Sequence, residues 1–497
     1  MKTINRQSIL LLILLIAFFV TGCDTGGTDI PEDNDTDIRD SYTTMSLDET
    51  FGETGLASPG QWTHVPAKTD SSIEAIEYTN IATDSQGNIY VLGEYEYKYN
   101  SSDTKNTVDI MVAKYDSDGN LDTSFGNYDS TGGGAFFYYA YDYYWDLNSN
   151  NTWDGTGTDG YWADSSLSTF RSSSIAVDSQ DRVYVAFSSR YTEPSWSGYN
   201  TDAFLIRLTQ NGELDTEFDT DGREYYSAST EGYDYTVEGI LLDGDTPIIY
   251  GGLSSTSPKA FAMKYDATVE ELVSLISQDF DSSNDVDKPS FSCATVSDDA
   301  IFLGNVDNGY VEAYSKTGSE LDTDTLSLPY TGEDPLGIAF SGNGLYTGES
   351  DLLALYSRVY SSETGWSDTL NISMWDVTDP ENPATYTSFN NDDDVTTEEN
   401  YIQIDAYEIA ALTFEADSLL VIGTTESDSN TYAHIWKYGL NGEPVTEFGT
   451  AGSVAIDDYQ FIPKGYIDTG AALILTGLEY RNNTGYQAGI MKIDFSE

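Results

Sequence analysis

Residues 146–154 form an acidic and amide-rich loop with a spacing suited to coordination chemistry. Oxygen-bearing side chains stand at loop positions 1, 3, 5 and 9, and position 7 offers a backbone carbonyl, as in loops that bind calcium. The pattern departs from the usual one at Asn151, which replaces a glycine, and at Gly157, which replaces a glutamate. An ordinary turn rich in asparagine and aspartate is the alternative. The predicted calcium ligands are Asp146, Asn148, Asn150, Thr152 and Asp154.

An aromatic run lies beside this loop, at residues 136–145, and two further rings follow it. Exposed tyrosine and tryptophan side chains present flat, amphipathic surfaces that suit sugar rings or protein partners. The alternative is that these rings pack inside an enlarged sheet. The candidate ligand-binding residues are Tyr143, Tyr144, Trp145, Tyr161 and Trp162.

Cys23 is the residue at which the sequence points to covalent chemistry. Lys2 and Arg6 precede an apolar run at residues 9–20, which is shorter than the roughly 20 residues needed to span a bilayer. A charged start, a short apolar stretch and small residues together indicate an export signal. Cys23 and its neighbours resemble the lipobox of bacterial lipoproteins, which implies cleavage before Cys23 and diacylglycerol on its sulfur. An ordinary signal peptide with a chance cysteine is the alternative.

Other catalytic chemistry is sparse in this chain. His64 and His434 are the only histidines, and Cys293 is the only cysteine besides Cys23, so a zinc site and a disulfide framework are not expected. His434 and Cys293 stand in strand-like segments, which favours structural roles. The chain has no glycine-rich phosphate loop and no nucleophile elbow, and no catalytic residue is predicted.

The charge balance limits the class of partner. The chain carries 21 lysines and arginines against 84 aspartates and glutamates, a formal net charge of −63. Nucleic acids and anionic lipid headgroups require a basic surface, so we expect neither to bind the protein directly. The acidic residues are spread along the chain and indicate a solvated surface, with selected cation binding as the alternative.

A short turn-and-strand phrase recurs along the chain, and a second strand ending in a hairpin turn follows most copies. The alternating apolar residues of these strands place one face on each neighbouring sheet. Repetition of such units at intervals of tens of residues predicts a radial β architecture. Residues 267–276 have helical spacing but fall where other copies have a turn and a strand. The copies lie at residues 87–93, 181–187, 246–252, 299–305, 343–349, 417–423 and 471–477.

A third phrase, Leu-Asp-x-x-Phe-Gly or a close variant, follows several units, at residues 121–126, 214–219 and 445–449. The last unit lacks it, whereas residues 47–52 carry it with no unit in front. The N-terminal phrase is therefore expected to complete the last sheet and to cover the edge that this sheet would expose. This predicts an all-β, seven-bladed β-propeller closed by its N-terminal strand.

The predicted domain organisation has three parts. Residues 1–22 are the lipoprotein signal peptide, and residues 23–46 are the lipidated cysteine and a flexible tether poor in apolar side chains. Residues 47–497 form the propeller, with the largest insertion at about residues 128–169.

The repeat phrases resemble the bacterial delta-60 type of β-propeller repeat. The match is good around residues 84–126, 176–219 and 433–449, whereas residues 374–383 look more like the turn of another bacterial propeller repeat. The resemblance implies a propeller on an exported protein, and it supplies no catalytic residues to carry over.

These observations predict a lipid-anchored propeller of the cell envelope, outside the cytoplasm, that acts as a binding or scaffold protein. The partner is expected to be a protein or a polysaccharide, with the membrane contacted through the lipid and calcium as the one possible cofactor. A rigid ring would position the inserted loops that provide specificity. The alternative is a propeller enzyme that acts on polysaccharide or uses a cofactor.

Overall fold

The computed structural model describes most of the chain from residue 44 onward. Within these residues the secondary structure consists of strands and turns, which confirms the all-β prediction. In this part of the chain there is no long apolar helix of the kind that crosses a membrane. The described residues are 44–47, 50–52, 56–57, 72–98, 107–126, 135–138, 170–191, 200–226, 234–254, 258–279, 290–305, 310–322, 333–340, 351–361, 365–381, 384–386, 389, 401–406, 408–415, 417–427, 430–456, 460–469, 472–481 and 485–496.

Two short strands come first, β1 (Thr44–Leu47) and β2 (Leu56–Ala57). Sheet 1 contains β3 (Ser72–Thr83), β4 (Ile89–Lys98), β5 (Thr107–Tyr115) and β6 (Ala135–Tyr138). Sheet 2 contains β7 (Phe170–Val177), β8 (Val183–Tyr191), β9 (Asn200–Leu208) and β10 (Arg223–Tyr226). Sheet 3 contains β11 (Asp234–Asp243), β12 (Thr246–Ser254), β13 (Lys259–Asp266) and β14 (Glu271–Asp279). Sheets 2 and 3 are joined at one parallel pair, Asp234 with Thr201.

Four more sheets follow along the chain. Sheet 4 contains β15 (Phe291–Val296), β16 (Ala300–Asn305), β17 (Tyr310–Ser315) and β18 (Glu320–Asp322). Sheet 5 contains β19 (Glu333–Phe340), β20 (Leu352–Ser361), β21 (Gly365–Asp376), β22 (Ala384–Thr385) and β23 (Tyr401–Asp405). Sheet 6 contains β24 (Glu408–Glu415), β25 (Ser418–Ser427), β26 (Asn430–Gly439) and β27 (Ser453–Ile456). Sheet 7 contains β28 (Phe461–Asp468), β29 (Ala472–Arg481) and β30 (Gly485–Ser496), with β1 and β2 both paired to β30.

Each sheet buries both of its faces, because apolar side chains stand at consecutive positions of its central strands. On β4, Tyr90 and Leu92 pack against sheet 2, whereas Ile89 and Val91 pack against residues of sheet 7. Successive side chains of a strand point to opposite faces, so one short apolar run serves two interfaces. The repeated phrase therefore encodes contact with two neighbours.

The described residues contain seven apolar clusters, and each is shared by two sheets. Six of them join consecutive sheets, from sheets 1 and 2 to sheets 6 and 7. The seventh joins sheet 1 to sheet 7, where Tyr78 and Met111 pack with Ile474 and Ile490. Every sheet thus has a packed neighbour on each side.

The N-terminal strand pairs with the last strand of the chain. β1 runs antiparallel to β30, with Leu47 opposite Ile493, and it begins three residues before the predicted boundary at residue 47. Just after it, the Phe51 ring packs on Gly119 of sheet 1, where a Cβ atom would come within 2.8 Å of the ring. The backbone N–H of Gly52 also donates to the carbonyl of Asp118 at 2.8 Å. The segment around residues 44–52 therefore contacts both sheet 7 and sheet 1.

Two segments clarify the predicted repeat boundaries. The strand between β19 and β21 in sheet 5 is β20, Leu352–Ser361, so the copy predicted at residues 343–349 was misplaced. Those residues lie outside the described part of the chain. Residues 267–270 form a turn and β14 follows at Glu271, so the helical spacing there does not produce a helix. Pairing with β13 satisfies the backbone of this segment and overrides its local pattern.

Candidate functional site

The sites predicted from the sequence fall outside the described residues. This holds for the calcium ligands in residues 146–154, the aromatic candidates in residues 143–145 and 161–162, and Cys23. Among the residues that the structure does describe, no group of three or more histidine, cysteine, aspartate or glutamate side chains is placed to hold a metal ion.

A cavity of about 430 Å³ lies between sheets 2 and 3. Its walls come from the turn before β8, the end of β9, the turn between β11 and β12, and the turn between β13 and β14. These turns lie at one edge of the sheets because alternate turns of an antiparallel sheet share an edge. The lining residues are Arg182, Tyr184, Arg207, Asp245, Thr246, Pro247, Lys264, Tyr265, Asp266, Ala267 and Val273.

Three of these lining residues are cations, and each is held by a carboxylate that does not itself line the cavity. The Arg182 guanidinium donates through Nε to Asp178 at 2.6 Å. Arg207 donates through Nε to Asp215, also at 2.6 Å, and both side chains are largely buried. Lys264 donates to Asp243 at 2.9 Å, and Asp243 also accepts from Lys316 of sheet 4 at 2.7 Å. These pairs fix the positions of the positive groups.

Two aromatic rings lie beside Arg207, one of the three lining cations. The Arg207 guanidinium lies 5.0 Å from the ring centre of Phe218 and 6.0 Å from that of Tyr184, within the range of cation–π attraction. Phe218 in turn packs on Tyr265, with ring centres 4.4 Å apart. Phe218 belongs to the repeated Leu-Asp-x-x-Phe phrase, so this phrase supplies one of the rings that pack beside Arg207.

The two carboxylates that line the cavity accept hydrogen bonds from residues of nearby turns. Asp245 accepts from the backbone N–H of Ser179 at 3.0 Å and from the Gln180 amide at 3.2 Å. Asp266 accepts from the backbone N–H and hydroxyl of Thr268. These hydrogen bonds, from Ser179 and from Thr268 respectively, lower the pKa of each carboxyl, which keeps it ionised.

The interface between sheets 1 and 2 is built from equivalent parts. Lys114 stands opposite Tyr90 on adjacent strands and lies 5.2 Å from its ring centre, as Arg207 stands opposite Tyr184. Asp181 accepts from the backbone N–H of Ser85 at 2.8 Å, as Asp245 accepts from Ser179.

The turn after the third strand distinguishes the two interfaces. In sheet 2, the Gln210 amide reaches back to the Asp181 carboxylate at 3.5 Å, so its side chain spans the space between two turns. In sheet 3, the equivalent residue is Ala267, whose methyl group cannot reach Asp245. The second change is Arg182, which occupies the position of Asn88 in sheet 1. The sheet 2–sheet 3 cavity is therefore both less covered and more basic.

An acid pair lies near the cavity. Burial first, and then the hydrogen bond to Asp219 and the Asp219 charge, together raise the pKa of Glu224 to about 8. Both carboxyls also raise the pKa of Tyr265, one of the lining residues, after the larger effect of burial. Glu224 therefore holds a proton at neutral pH while the cavity carboxylates are ionised.

The remaining histidine and cysteine within the described residues are structural. The His434 ring stacks on Trp436 at 4.3 Å, and Nδ1 lies 3.2 Å from the Thr425 hydroxyl oxygen. Burial lowers the pKa of His434 and raises the pKa of the Cys293 thiol to about 12. A thiol with so high a pKa is a poor nucleophile and metal ligand at neutral pH.

One protein-family model matches part of the chain. Residues 87–125 and 193–218 match a domain of unknown function that forms a β-propeller. The protein thus carries β-propeller repeats, and the matched segments include the Lys114 and Arg207 strands. No curated protein matches this chain by sequence.

Several solved structures overlap loosely with this chain. The β-propeller domain of the Trilobed protease from Pyrococcus furiosus has a TM-score of 0.40 and 8% identity, covering 85% of this chain and 99% of that one. The Cps50 (Swd1) β-propeller domain of Myceliophteria thermophila has a TM-score of 0.40 and 10% identity, covering 86% and 99%. Trypanosoma rangeli sialidase also has a TM-score of 0.40, with 9% identity, and covers 85% and 54%. Similarity at this level assigns no activity to the present chain.

Sequence reasoning missed the cavity because its residues come from separate turns. Arg182 and Lys264 look like ordinary surface cations when the chain is inspected one unit at a time. The available signal was a difference between aligned repeats, with Arg182 in place of Asn88 and Ala267 in place of Gln210. Because basic residues are scarce in this acidic chain, an arginine at position 182 is an informative difference.

Proposed function

We propose that this protein is a closed, seven-bladed β-propeller that is anchored in the cell envelope by lipid on Cys23 and binds a polysaccharide or protein partner. The seven shared apolar clusters support the ring, since each sheet has a packed neighbour on both sides. The pairing of β1 with β30 and the packing of Phe51 on Gly119 support closure at the chain ends. In this proposal, the described strands β3 to β30 form the blades.

The open cavity between sheets 2 and 3 is the observation that carries the binding function. A scaffold that holds cations, carboxylates and aromatic rings around about 430 Å³ has the size of a small-ligand site and polar groups that can orient a ligand. Beside the equivalent space between sheets 1 and 2, Gln210 joins two turns of sheet 2 through Asp181, whereas Ala267 of sheet 3 has no side-chain amide to do so.

Screening the full chain in detergent against a panel of envelope polysaccharides, with reducing-end release measured in the same samples, tests this function. Saturable binding without release of product is expected for a binding protein. Release of product would instead establish the alternative, a polysaccharide-acting enzyme. The heat-denatured chain is the control for non-specific adsorption.

The anchor and the calcium loop are parts of the same proposal. Mass spectrometry of the mature N-terminus is expected to show a diacylglycerol adduct on Cys23 that a Cys23→Ser variant lacks. Calcium at about a hundred times its dissociation constant is expected to stabilise the fold by about 2.7 kcal/mol, and Asp146→Ala is expected to remove this gain. Equal thermal unfolding in calcium and in chelator would refute the calcium site.

A further inference from the structure

We infer that the cavity between sheets 2 and 3 binds an acidic monosaccharide unit, with the carboxylate of a hexuronate held by Arg182, Arg207 and Lys264. This inference deepens the proposed binding function and rests on it, because it names the chemical class of ligand that the propeller would hold. It concerns residues that the sequence analysis did not select.

The composition of the lining is the first argument. Three of the 11 lining residues are basic, whereas the whole chain has only 21 basic residues in 497. Asp178, Asp215 and Asp243, which hold these cations, are not among the lining residues. The surfaces exposed to a ligand therefore carry three positive groups and two negative ones, Asp245 and Asp266. In a protein of net charge −63 this lining is enriched in basic side chains, each of which already has a carboxylate partner.

The unused hydrogen-bond donors are the second argument. A guanidinium has five N–H groups in a planar fork. The contact of Arg207 with Asp215 is made by Nε, and the contacts of Arg182 with Asp178 are made by Nε and Nη2. None of these contacts uses Nη1 of Arg182, whereas the Arg207 side chain also hydrogen-bonds the Tyr184 side chain. Because Asp178 and Asp215 already orient both side chains, little conformational entropy is lost when a carboxylate binds.

The remaining walls fit the rest of a sugar unit. The carboxylates of Asp245 and Asp266 accept hydrogen bonds from hydroxyl groups, and Thr246 can both donate and accept. Tyr184, Tyr265 and Pro247 supply apolar surface for a ring face. The cavity volume lies at the small end of the range for ligand sites, which suits one ring or the end of a chain. A simple anion would leave the acceptors and the apolar walls unused.

Calorimetric titration of the full chain with galacturonate, with galactose and acetate as comparison ligands, tests the inference. Galacturonate is expected to bind at one site. Galactose, which lacks the carboxylate, and acetate, which lacks the sugar ring, are each expected to bind at least tenfold more weakly. Ala267→Gln is expected to weaken galacturonate binding at least tenfold by placing in the cavity the longer side chain that Gln210 has at the equivalent position of sheet 2. Arg182→Gln is also expected to weaken galacturonate binding at least tenfold, because it removes the guanidinium that would donate to the carboxylate.

Lys114→Gln is the matched control, since Lys114 holds the same register position as Arg207 but does not line the cavity. It is expected to leave galacturonate affinity unchanged. Thermal unfolding of every variant separates loss of binding from loss of folding. Galacturonate bound no more tightly than galactose, or bound equally by Ala267→Gln, would overturn the inference. In that case polysaccharide binding in the broader screen would still support the proposed function at another site, and its absence would refute that function separately.

Discussion

The interface between sheets 1 and 2 and the interface between sheets 2 and 3 are built from equivalent parts. They differ at the turn after the third strand. Both place a cation opposite a tyrosine on adjacent strands, and in both an aspartate accepts from a serine in the preceding sheet. Gln210 joins two turns of sheet 2 beside the first interface, whereas Ala267 lines the cavity at the second and has no side chain that could reach Asp245. A repeat can therefore keep its packing while single turn residues decide where a ligand can enter.

The phenylalanine of the repeated phrase packs against a different kind of residue at each interface. Phe125 packs on Gly212 of sheet 2, where a Cβ atom would come within 2.9 Å of the ring. The residue equivalent to Gly212 in sheet 3 is Val269, which is 53% exposed, and Phe218 packs on Tyr265 instead. The first interface thus depends on backbone approach, and the second depends on aromatic contact.

The largest effect is expected from removing either phenylalanine. Phe125→Ala and Phe218→Ala each delete a buried ring shared by two sheets and are expected to lower the free energy of unfolding by about 3–5 kcal/mol. Denaturant unfolding followed by tryptophan fluorescence measures this change. A loss below about 1 kcal/mol in either variant would show that the phrase is not a packing element at that interface.

A smaller effect is expected at the glycine, and only at the first interface. Gly212 has φ of +77° and no room for a Cβ atom, so Gly212→Ala should cost about 2–4 kcal/mol in the free energy of unfolding. Val269→Ala should change it by less than about 0.5 kcal/mol because Val269 is exposed.

Gly244→Ala is the control for backbone conformation, since Gly244 has φ of +59° with open space around it. It should cost about 1 kcal/mol in unfolding free energy, which is the conformational part alone. If Gly212→Ala and Gly244→Ala cost the same, the proposed close packing of Phe125 on Gly212 would be contradicted.

Glu224 is expected to make the second interface sensitive to pH. Its folded-state pKa of about 8 lies above the usual value, so the folded protein binds this proton more tightly than the unfolded chain does. The resulting stability is fully present below about pH 4.3 and is lost as the pH rises towards 8. Relative to the wild type, Glu224→Gln should therefore become more stable as the pH rises from 5 to about 8.

Urea unfolding of wild type and Glu224→Gln at several pH values measures this difference directly. Asp219→Asn should reduce the difference, because it removes the neighbouring charge that helps to raise the pKa of Glu224. Parallel pH profiles for wild type and Glu224→Gln would show that the proton on Glu224 does not contribute to stability.

The smallest effect on stability is expected from shortening Gln210 beside the interface between sheets 1 and 2. Gln210→Ala removes an exposed side chain and one 3.5 Å hydrogen bond, so stability should change by less than about 0.5 kcal/mol. Galacturonate should still bind at a single site, since Asn88 stands at this interface where Arg182 stands at the other. A second galacturonate site in Gln210→Ala would show that the Arg182 position does not determine binding.

Local patterns were enough to place the second strand of six of the seven sheets. Residues 87–93 and 181–187 combine a turn with a short apolar run, and the strands β4 and β8 lie where that pattern places them. The phrase at residues 47–52 likewise indicated that the N-terminal segment lies beside the last strand, as the β1–β30 pairing does. Such features depend on side-chain alternation and on turn residues, which act over a few positions.

The misplaced copy at residues 343–349 and the unrecognised cavity have a different origin. Which strand lies between β19 and β21 is decided by hydrogen-bond register with both neighbours, and several apolar runs could meet the local requirement. The cavity combines turns more than 60 residues apart, such as those of Arg182 and Asp245. Only the packing of sheet 2 against sheet 3 brings these charges together, because the distance between side chains on different sheets is set by the tertiary fold rather than by any local pattern.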